Sequence, residues 1–293
     1  MQKAEIHSRK LRFVMSLRKP LSGLVIITCL VALTACQSAN KRRQELAYVE
    51  RPVEQIYNQA ATELDKRNYP RAILMFNEVE RQHPYSEWAR KSMVMTAFAS
   101  YKAHDYDEAI SAAQRYLGLH PGGSEADYAY YLIAVSYFDQ IVDIGRDQKT
   151  TELALNALRD VTRRFPESPY ARDASLKIDM VKDQLAGKEM EIGRWYLRSN
   201  QTLAAVNRFR TVVTTYDTTS HTPEALHRLV ESYLTLGLRD QALAAGSTLG
   251  YNYPQSDWYK MSYRLLTKQG LDPEALTPET RRTLLQRMLP GGK

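Results

Sequence analysis

The chain has 293 residues, of which 44% are hydrophobic and 25% are charged, a balance typical of a globular protein rather than a disordered one,. Its formal charge of +7 would favour nucleic-acid binding if it belonged to the folded part,. Of the 40 Lys and Arg and the 33 Asp and Glu, however, six and one respectively precede Cys36, so 34 basic and 32 acidic residues remain, a net charge of +2. The near-neutral remainder excludes nucleic acid as the expected partner.

Residues 1–35 have the order of a secretory signal peptide. Arg18 and Lys19 end a basic region, an apolar run extends from Leu21 to Leu33, and Ala35 directly precedes Cys36. The run has thirteen residues, which is too short for a transmembrane helix,. A small residue directly before a cysteine resembles the lipobox of bacterial lipoproteins. The alternative is an ordinary signal peptide that a cysteine follows by chance.

Resemblance to lipoproteins implies cleavage before Cys36, S-diacylglycerol on its sulfur and N-palmitoyl on its new amine. Each buried CH₂ adds about 0.8 kcal/mol, so several acyl chains make a permanent anchor. In such lipoproteins an Asp in the next position retains the protein at the inner membrane, so Gln37 predicts the periplasmic face of the outer membrane. Residues 36–50 are expected to form a flexible tether. Met15 begins a more ordinary signal peptide than Met1 and is an alternative start of translation.

A period of 37 residues runs through the chain after the tether. The segment 68–73 recurs as 105–110, and the same shift carries Ala60 to Ala97 and Ala97 to Ala134. Periods of this length are typical of solenoids made of stacked helix pairs, because one pair cannot bury its apolar face alone. The alternative is an unrelated helical bundle.

Each unit is predicted to form two helices and ends near a proline, a pattern that resembles the tetratricopeptide repeat. In the second unit Met93, Ala97 and Tyr101 are four residues apart, which gives the first helix an apolar stripe,. Phe76 and Phe209 match the aromatic position of the repeat, whereas Ala113 and Gly246 depart from it. The predicted fold is an all-α, right-handed solenoid of about five helix pairs.

The units are expected at about 53–86, 87–123, 124–168, 169–219 and 220–256, within a solenoid that spans residues 51–256. The third unit has an insertion near residues 139–150. The run from Tyr170 to Arg198 predicts one long helix in the fourth unit. Residues 257–293 form an extension with a short amphipathic stretch at 284–289, to which the sequence assigns no role.

No catalytic or metal-binding pattern is present in the sequence. His221 and His227 are six residues apart, which does not match the spacing of a zinc-binding HExxH helix,. There is no GxSxG motif and no glycine-rich phosphate loop,. The sequence therefore predicts a protein that is not an enzyme and that needs no cofactor or metal.

Tyrosines on the predicted first helices indicate an interaction surface. Interfaces favour such aromatic side chains, and the first helices of stacked pairs line a concave face. The alternative is that each tyrosine packs between repeats. The tyrosines in question are Tyr57, Tyr101, Tyr130, Tyr131 and Tyr137.

Three stretches go beyond a generic repeat: 69–73 together with 83–86, the insertion 143–148, and Ala205–Phe209. With the lipobox and the long helix, they resemble the BamD (ComL/YfiO) family of outer-membrane assembly lipoproteins. The resemblance implies a non-catalytic scaffold subunit of the β-barrel assembly (BAM) complex. Such a subunit binds the POTRA domains of the barrel subunit BamA through its C-terminal repeats and unfolded barrel proteins through its N-terminal repeats, beside the other lipoproteins of the complex.

By the match at 205–209, Arg208 with its neighbour Asn207 is the candidate for an ion pair with a POTRA domain. The alternative for Arg208 is a solvated charge on a helix. Tyr69 and Tyr85 are the candidates for contact with substrate. A rival function is that of a pilotin, a repeat lipoprotein that escorts secretins, which leaves the insertion and the long helix unexplained. An envelope hydrolase would need a catalytic acid in a cleft.

Overall fold

The computed structural model describes residues 51–275 together with Glu279 and Thr283. This part of the chain forms eleven α-helices and no strand. The predicted all-α fold of helix pairs is therefore confirmed. The helices are α1 (Val53–Asp65), α2 (Tyr69–Gln82), α3 (Glu87–Lys102), α4 (Tyr106–Leu119), α5 (Ala126–Phe138), α6 (Lys149–Arg164), α7 (Pro169–Arg198), α8 (Thr202–Thr215), α9 (Thr222–Thr235), α10 (Arg239–Asn252) and α11 (Asp257–Lys268).

The predicted signal peptide, the lipidation site Cys36, the alternative start Met15, the tether and the stretch 284–289 lie outside the described residues. The compact helical unit begins at Val53. Among the helices of residues 51–275, none combines the length and the apolar character that a membrane span requires.

The helices are arranged as stacked pairs with two layers. Each helix packs against the next, and α1 also contacts α3, α3 contacts α5, α5 contacts α7 and α9 contacts α11. No comparable contact joins successive even-numbered helices in the described part of the chain. Because the odd-numbered helices contact their counterparts in the neighbouring unit and the even-numbered ones in this part of the chain do not, the odd-numbered helices line the inner side of the stack, as the first helices of repeat solenoids do,.

The core lies between the two layers and follows the 37-residue period. Ala60, Ala97 and Ala134 are completely buried, at the positions where a small side chain lets the helices of a pair approach closely. Phe76 of α2 and Phe209 of α8 are also completely buried. Each such aromatic side chain stabilises the fold by about 1.5–3 kcal/mol through the apolar surface that it removes from water.

Short Pro-x-Ser segments start three of the first helices. The proline cannot continue the preceding helix, and the serine hydroxyl then accepts a hydrogen bond from a backbone N–H of the new helix. Ser86 Oγ accepts from Ala89 at 3.0 Å. The equivalent bonds join Ser168 Oγ to the N–H of Tyr170 at 3.3 Å and Ser256 Oγ to the N–H of Trp258 at 3.2 Å.

The turn within a pair has a common backbone conformation in four units. Arg67, His104, Asn200 and Gly237 all have φ between 57° and 75°. In each case the residue after it donates its N–H to the carbonyl of the residue five positions earlier, as Asp105 does to Ser100 at 2.9 Å. Helices commonly end with such a left-handed residue, because it lets the last carbonyls find donors.

Helix α7 has 30 residues, so the prediction of one long helix is confirmed. Its first half contacts α5, where Tyr131 Oη donates to Asp173 Oδ2 at 2.5 Å. Its second half contacts α9, where Arg194 Nη1 lies 3.2 Å from Glu224 Oε2. Helix α7 thus contacts α5 through its first half and α9 through its second half.

The insertion between α5 and α6 forms an ordered loop held by a side-chain amide. Gln148 Nε2 lies within hydrogen-bond distance of the carbonyls of Asp143, Ile144 and Arg146, at 3.3, 3.4 and 3.0 Å. The loop contacts the middle of α7, since Gln184 Nε2 donates to the carbonyl of Val142 at 2.9 Å. This contact ties the third unit to the long helix.

Candidate partner-binding surfaces

Arg208 lies on α8 beside α7. Its Nη1 is 3.2 Å from Glu189 Oε2, and 40% of the Arg208 side chain is exposed, against 18% for Glu189. Asn207 is exposed. A guanidinium has five N–H donors, so the pair with Glu189 leaves Arg208 able to bind a second carboxylate. Arg208 is therefore neither a fully solvated charge nor a group whose donors are all used.

A cleft opens along the second half of α7, near the Arg208–Glu189 pair. Its volume is about 290 Å³. Trp195 is 52% exposed at its edge and contacts the ring of Tyr196, with the centroids 5.1 Å apart. The cleft is lined by Lys188, Glu191, Ile192, Trp195, Tyr196 and Arg198.

Sequence reasoning did not single out Trp195. The available signal was helical phase: Trp195 follows Lys177 by 18 residues, about five turns of an α-helix, so both point in the same direction,. Lys177 lies on the side of α7 that meets α5, because its Nζ is 2.7 Å from Asp173, the carboxylate bound by Tyr131.

The two candidates for the substrate end, Tyr69 and Tyr85, do not form one site. Tyr69 is the half-buried first residue of α2, whereas Tyr85 follows the end of that helix and is 96% exposed. Since α2 has 14 residues and the rise is 1.5 Å per residue, they stand about 20 Å apart along the helix axis,. Tyr85 is therefore far more accessible to a partner than Tyr69 is.

The five tyrosines predicted to line a groove are on first helices, but each is half-buried in contacts between helices. Tyr57 packs on Trp88, Tyr130 packs on Phe165, and Tyr137 joins the buried clusters. In Tyr101 the hydroxyl donates to Asp139 at 2.7 Å, while the ring of Tyr131 stacks on Tyr170, with the centroids 4.9 Å apart. The contacts favour the packing interpretation for this set.

The same burial sets the protonation state of two of these tyrosines. Desolvation raises the pKa of Tyr101 and of Tyr131, and the hydrogen bonds to Asp139 and Asp173 raise both pKa values further,. Both phenols are therefore neutral donors that join neighbouring units.

Residues 51–275 contain no group of three or more His, Cys, Asp and Glu placed to hold a metal ion. His227 is buried and used in the structure: its Nδ1 is 2.8 Å from Ser262 Oγ of α11, and its ring lies 5.3 Å from that of Trp258. This histidine holds α11 on α9.

Stacked helix pairs with recurring small residues, a shared turn and two separate surface features define a helical-repeat protein of the tetratricopeptide type,. The family model described as "YfiO: Outer membrane lipoprotein" matches residues 49–249. The chain belongs to this family.

Its curated relatives carry the name "Outer membrane protein assembly factor BamD". The protein of Caulobacter vibrioides is 53% identical over 270 residues, which are 91% of this chain and 88% of the relative. The protein of Rickettsia prowazekii is 43% identical and covers 86% of this chain and 98% of its own length. Among solved structures, a thermophilic TPR protein of Thermus thermophilus covers 74% of this chain and 100% of its own, at 18% identity and a TM-score of 0.35.

Proposed function

We propose that this protein is a non-catalytic scaffold subunit of the BAM complex, held at the periplasmic face of the outer membrane by lipid on Cys36. Its C-terminal repeats bind the POTRA domains of a BamA-like barrel subunit, in company with the other lipoproteins of the complex. Its N-terminal repeats receive unfolded outer-membrane barrel proteins. Membership of the BamD family supports this role.

The observation that carries the partner assignment is the exposure of Arg208: 40% of its side chain is exposed although it is paired with Glu189. An open cleft lies along the same half of α7 as Glu189. Charge-assisted hydrogen bonds from Arg to carboxylate are among the stronger polar contacts in interfaces. A carboxylate of a POTRA domain can use the donors of Arg208 that Glu189 leaves unbound. Asn207, exposed on the same turn, supplies a further polar group.

At the substrate end, Tyr85 is the contact residue that exposure supports best. Its ring offers a large apolar area at a low cost in side-chain entropy. Unfolded barrel strands have unpaired edges that promote aggregation. A protein anchored beside the insertase raises the local concentration of such clients without making or breaking a covalent bond.

Arg208→Glu is expected to reduce co-purification of the BamA-like subunit at least tenfold, because it replaces an attraction by a repulsion between carboxylates. The measurement is quantitative mass spectrometry of complexes isolated with the tagged, full-length lipoprotein. Glu189→Gln is the first control: it removes the negative charge of the internal partner but keeps the Arg208 charge, so binding is expected to be kept.

Arg163→Glu is the matched control for charge reversal, because Arg163 is a 72%-exposed arginine paired with Asp160 on α6. It is expected to leave co-purification unchanged. If Arg208→Glu retains the barrel subunit as well as Arg163→Glu does, with unchanged circular dichroism, the assignment of Arg208 to the interface is wrong.

A further inference from the structure

The side of α7 that faces α5 continues into the second half of α7, beyond the last contact with α5. Tyr170 and Asp173, in the first half of α7, meet α5 through Tyr131. Lys188 and Glu191 each follow one of them by 18 residues, about five helical turns, and therefore point in the same direction,. In the second half of α7 this side lines the 290 Å³ cleft instead of meeting a helix.

The cleft combines an apolar base with an exposed aromatic edge. Ile192 is half-buried within it, and Trp195 stands at the edge with 52% of its surface exposed. Small-molecule sites usually have about 300–1,000 Å³, so this volume is at the lower end of that range and is large enough for one side chain,. Tryptophan is among the residues that most often dominate the binding energy of protein interfaces.

The charges around the cleft are incompletely satisfied. Glu191 Oε2 is shielded from solvent yet accepts no hydrogen bond within the described residues, and its ion-pair partner, Lys188 Nζ, is 3.6 Å away. Arg198 lines the cleft and is exposed. A ligand that supplies an N–H or O–H to Glu191 and a carboxylate to Arg198 would satisfy both groups.

The cleft is continuous with the surface around Arg208. Glu189, the partner of Arg208, precedes Ile192 of the cleft by three residues, so the two side chains are neighbours on the surface of α7,. One folded domain can therefore cover both features at once.

We propose that the Trp195 cleft receives an apolar side chain from the same folded partner domain that binds Arg208. On that domain a carboxylate and a hydrogen-bond donor flank the apolar residue and meet Arg198 and Glu191. This inference rests on the proposed function, since it names a second anchor of that interface.

The test measures the affinity of the full-length lipoprotein in detergent for the purified BamA-like subunit. Trp195→Ala is expected to raise the dissociation constant about thirtyfold, as loss of a central aromatic anchor does. Leu176→Ala is the matched control: Leu176 is a 64%-exposed apolar residue in the first half of the same helix. It is expected to bind like the unsubstituted protein. Thermal melts of both variants confirm that each is folded.

Tryptophan emission provides a second measurement. The chain has three tryptophans, so the signal of Trp195 is the difference between the unsubstituted protein and Trp195→Phe. Binding of the barrel subunit is expected to shift this emission to shorter wavelength. A shift produced by an unfolded barrel peptide and not by the barrel subunit would overturn the proposal and place the cleft in substrate binding.

The failures of the two proposals differ in the same assay. If Arg208→Glu weakens binding while Trp195→Ala matches Leu176→Ala, the cleft is not an anchor and the proposed function stands. If the unsubstituted lipoprotein does not bind the barrel subunit at all, the proposed function fails and the cleft assignment fails with it. Weakening by both Arg208→Glu and Trp195→Ala supports both proposals.

Discussion

Replacing Leu266 by Ala is expected to lower the free energy of unfolding by about 2–5 kcal/mol, the cost of removing a large buried aliphatic side chain. Leu266 lies on α11 and has no exposed surface. Its Cδ1 occupies the place where a Cβ at Gly246 would stand. Gly246 follows Phe209 by 37 residues, so it stands at the aromatic position of the repeat. Leu266, which lies outside the repeat, supplies the apolar group that the pair of α9 and α10 lacks at this position.

Urea unfolding followed by circular dichroism measures this effect. Met261→Ala is the control, because Met261 is on the same helix and 36% exposed, and it is expected to cost much less. Gly246→Ala alone should also destabilise the protein, since its Cβ overlaps Leu266. Gly246→Ala combined with Leu266→Ala should lower the free energy of unfolding by less than the sum of the two single effects. Equal costs for Leu266→Ala and Met261→Ala would show that α11 is not part of the folded unit.

Gly193→Ala is expected to destabilise the protein by about 1–3 kcal/mol, although alanine normally favours a helix over glycine. A Cβ at Gly193 would overlap the completely buried ring of Phe209. The ring is enclosed between α7 and α8, so relief requires the two helices to separate.

Gly118→Ala is the matched control for this effect. Gly118 is also helical, but a Cβ there would have no neighbouring atom within 4 Å, so the substitution should stabilise by up to about 1 kcal/mol,. Melting temperatures of the two variants should therefore move in opposite directions. A shift in the same direction for both would contradict the close approach of α7 and α8 at Gly193.

The periodic features of this fold could be predicted from the sequence because they repeat. The 37-residue shift of Ala60 to Ala97 and Ala134 predicted helix pairs, and all three side chains are buried where the pairs close. The run from Tyr170 to Arg198 predicted one long helix, and α7 spans Pro169–Arg198.

What the sequence could not show is which neighbour covers a given face. The mismatch at Gly246 was visible, but its complement, Leu266, lies on a helix outside the period. Helical spacing placed the tyrosines on first helices without showing that adjoining units bury them. The pair of Arg208 with Glu189 crosses from one helix to the next, and no local pattern encodes it.

The Trp195 cleft was missed for a related reason. Periodicity within α7 identifies a side of the helix, but the contacts on that side change from α5 to open surface halfway along. That change depends on where α5 and the inserted loop end, which is a property of tertiary packing.

Depletion of the protein from growing cells tests the proposed function most directly. Quantitative mass spectrometry of the envelope would compare outer-membrane β-barrel proteins with soluble periplasmic proteins as the lipoprotein is lost. A scaffold of the BAM complex predicts that the barrel proteins fall together while the soluble proteins stay level. Loss confined to a secretin, with other barrel proteins at their normal abundance, would contradict it and favour a pilotin.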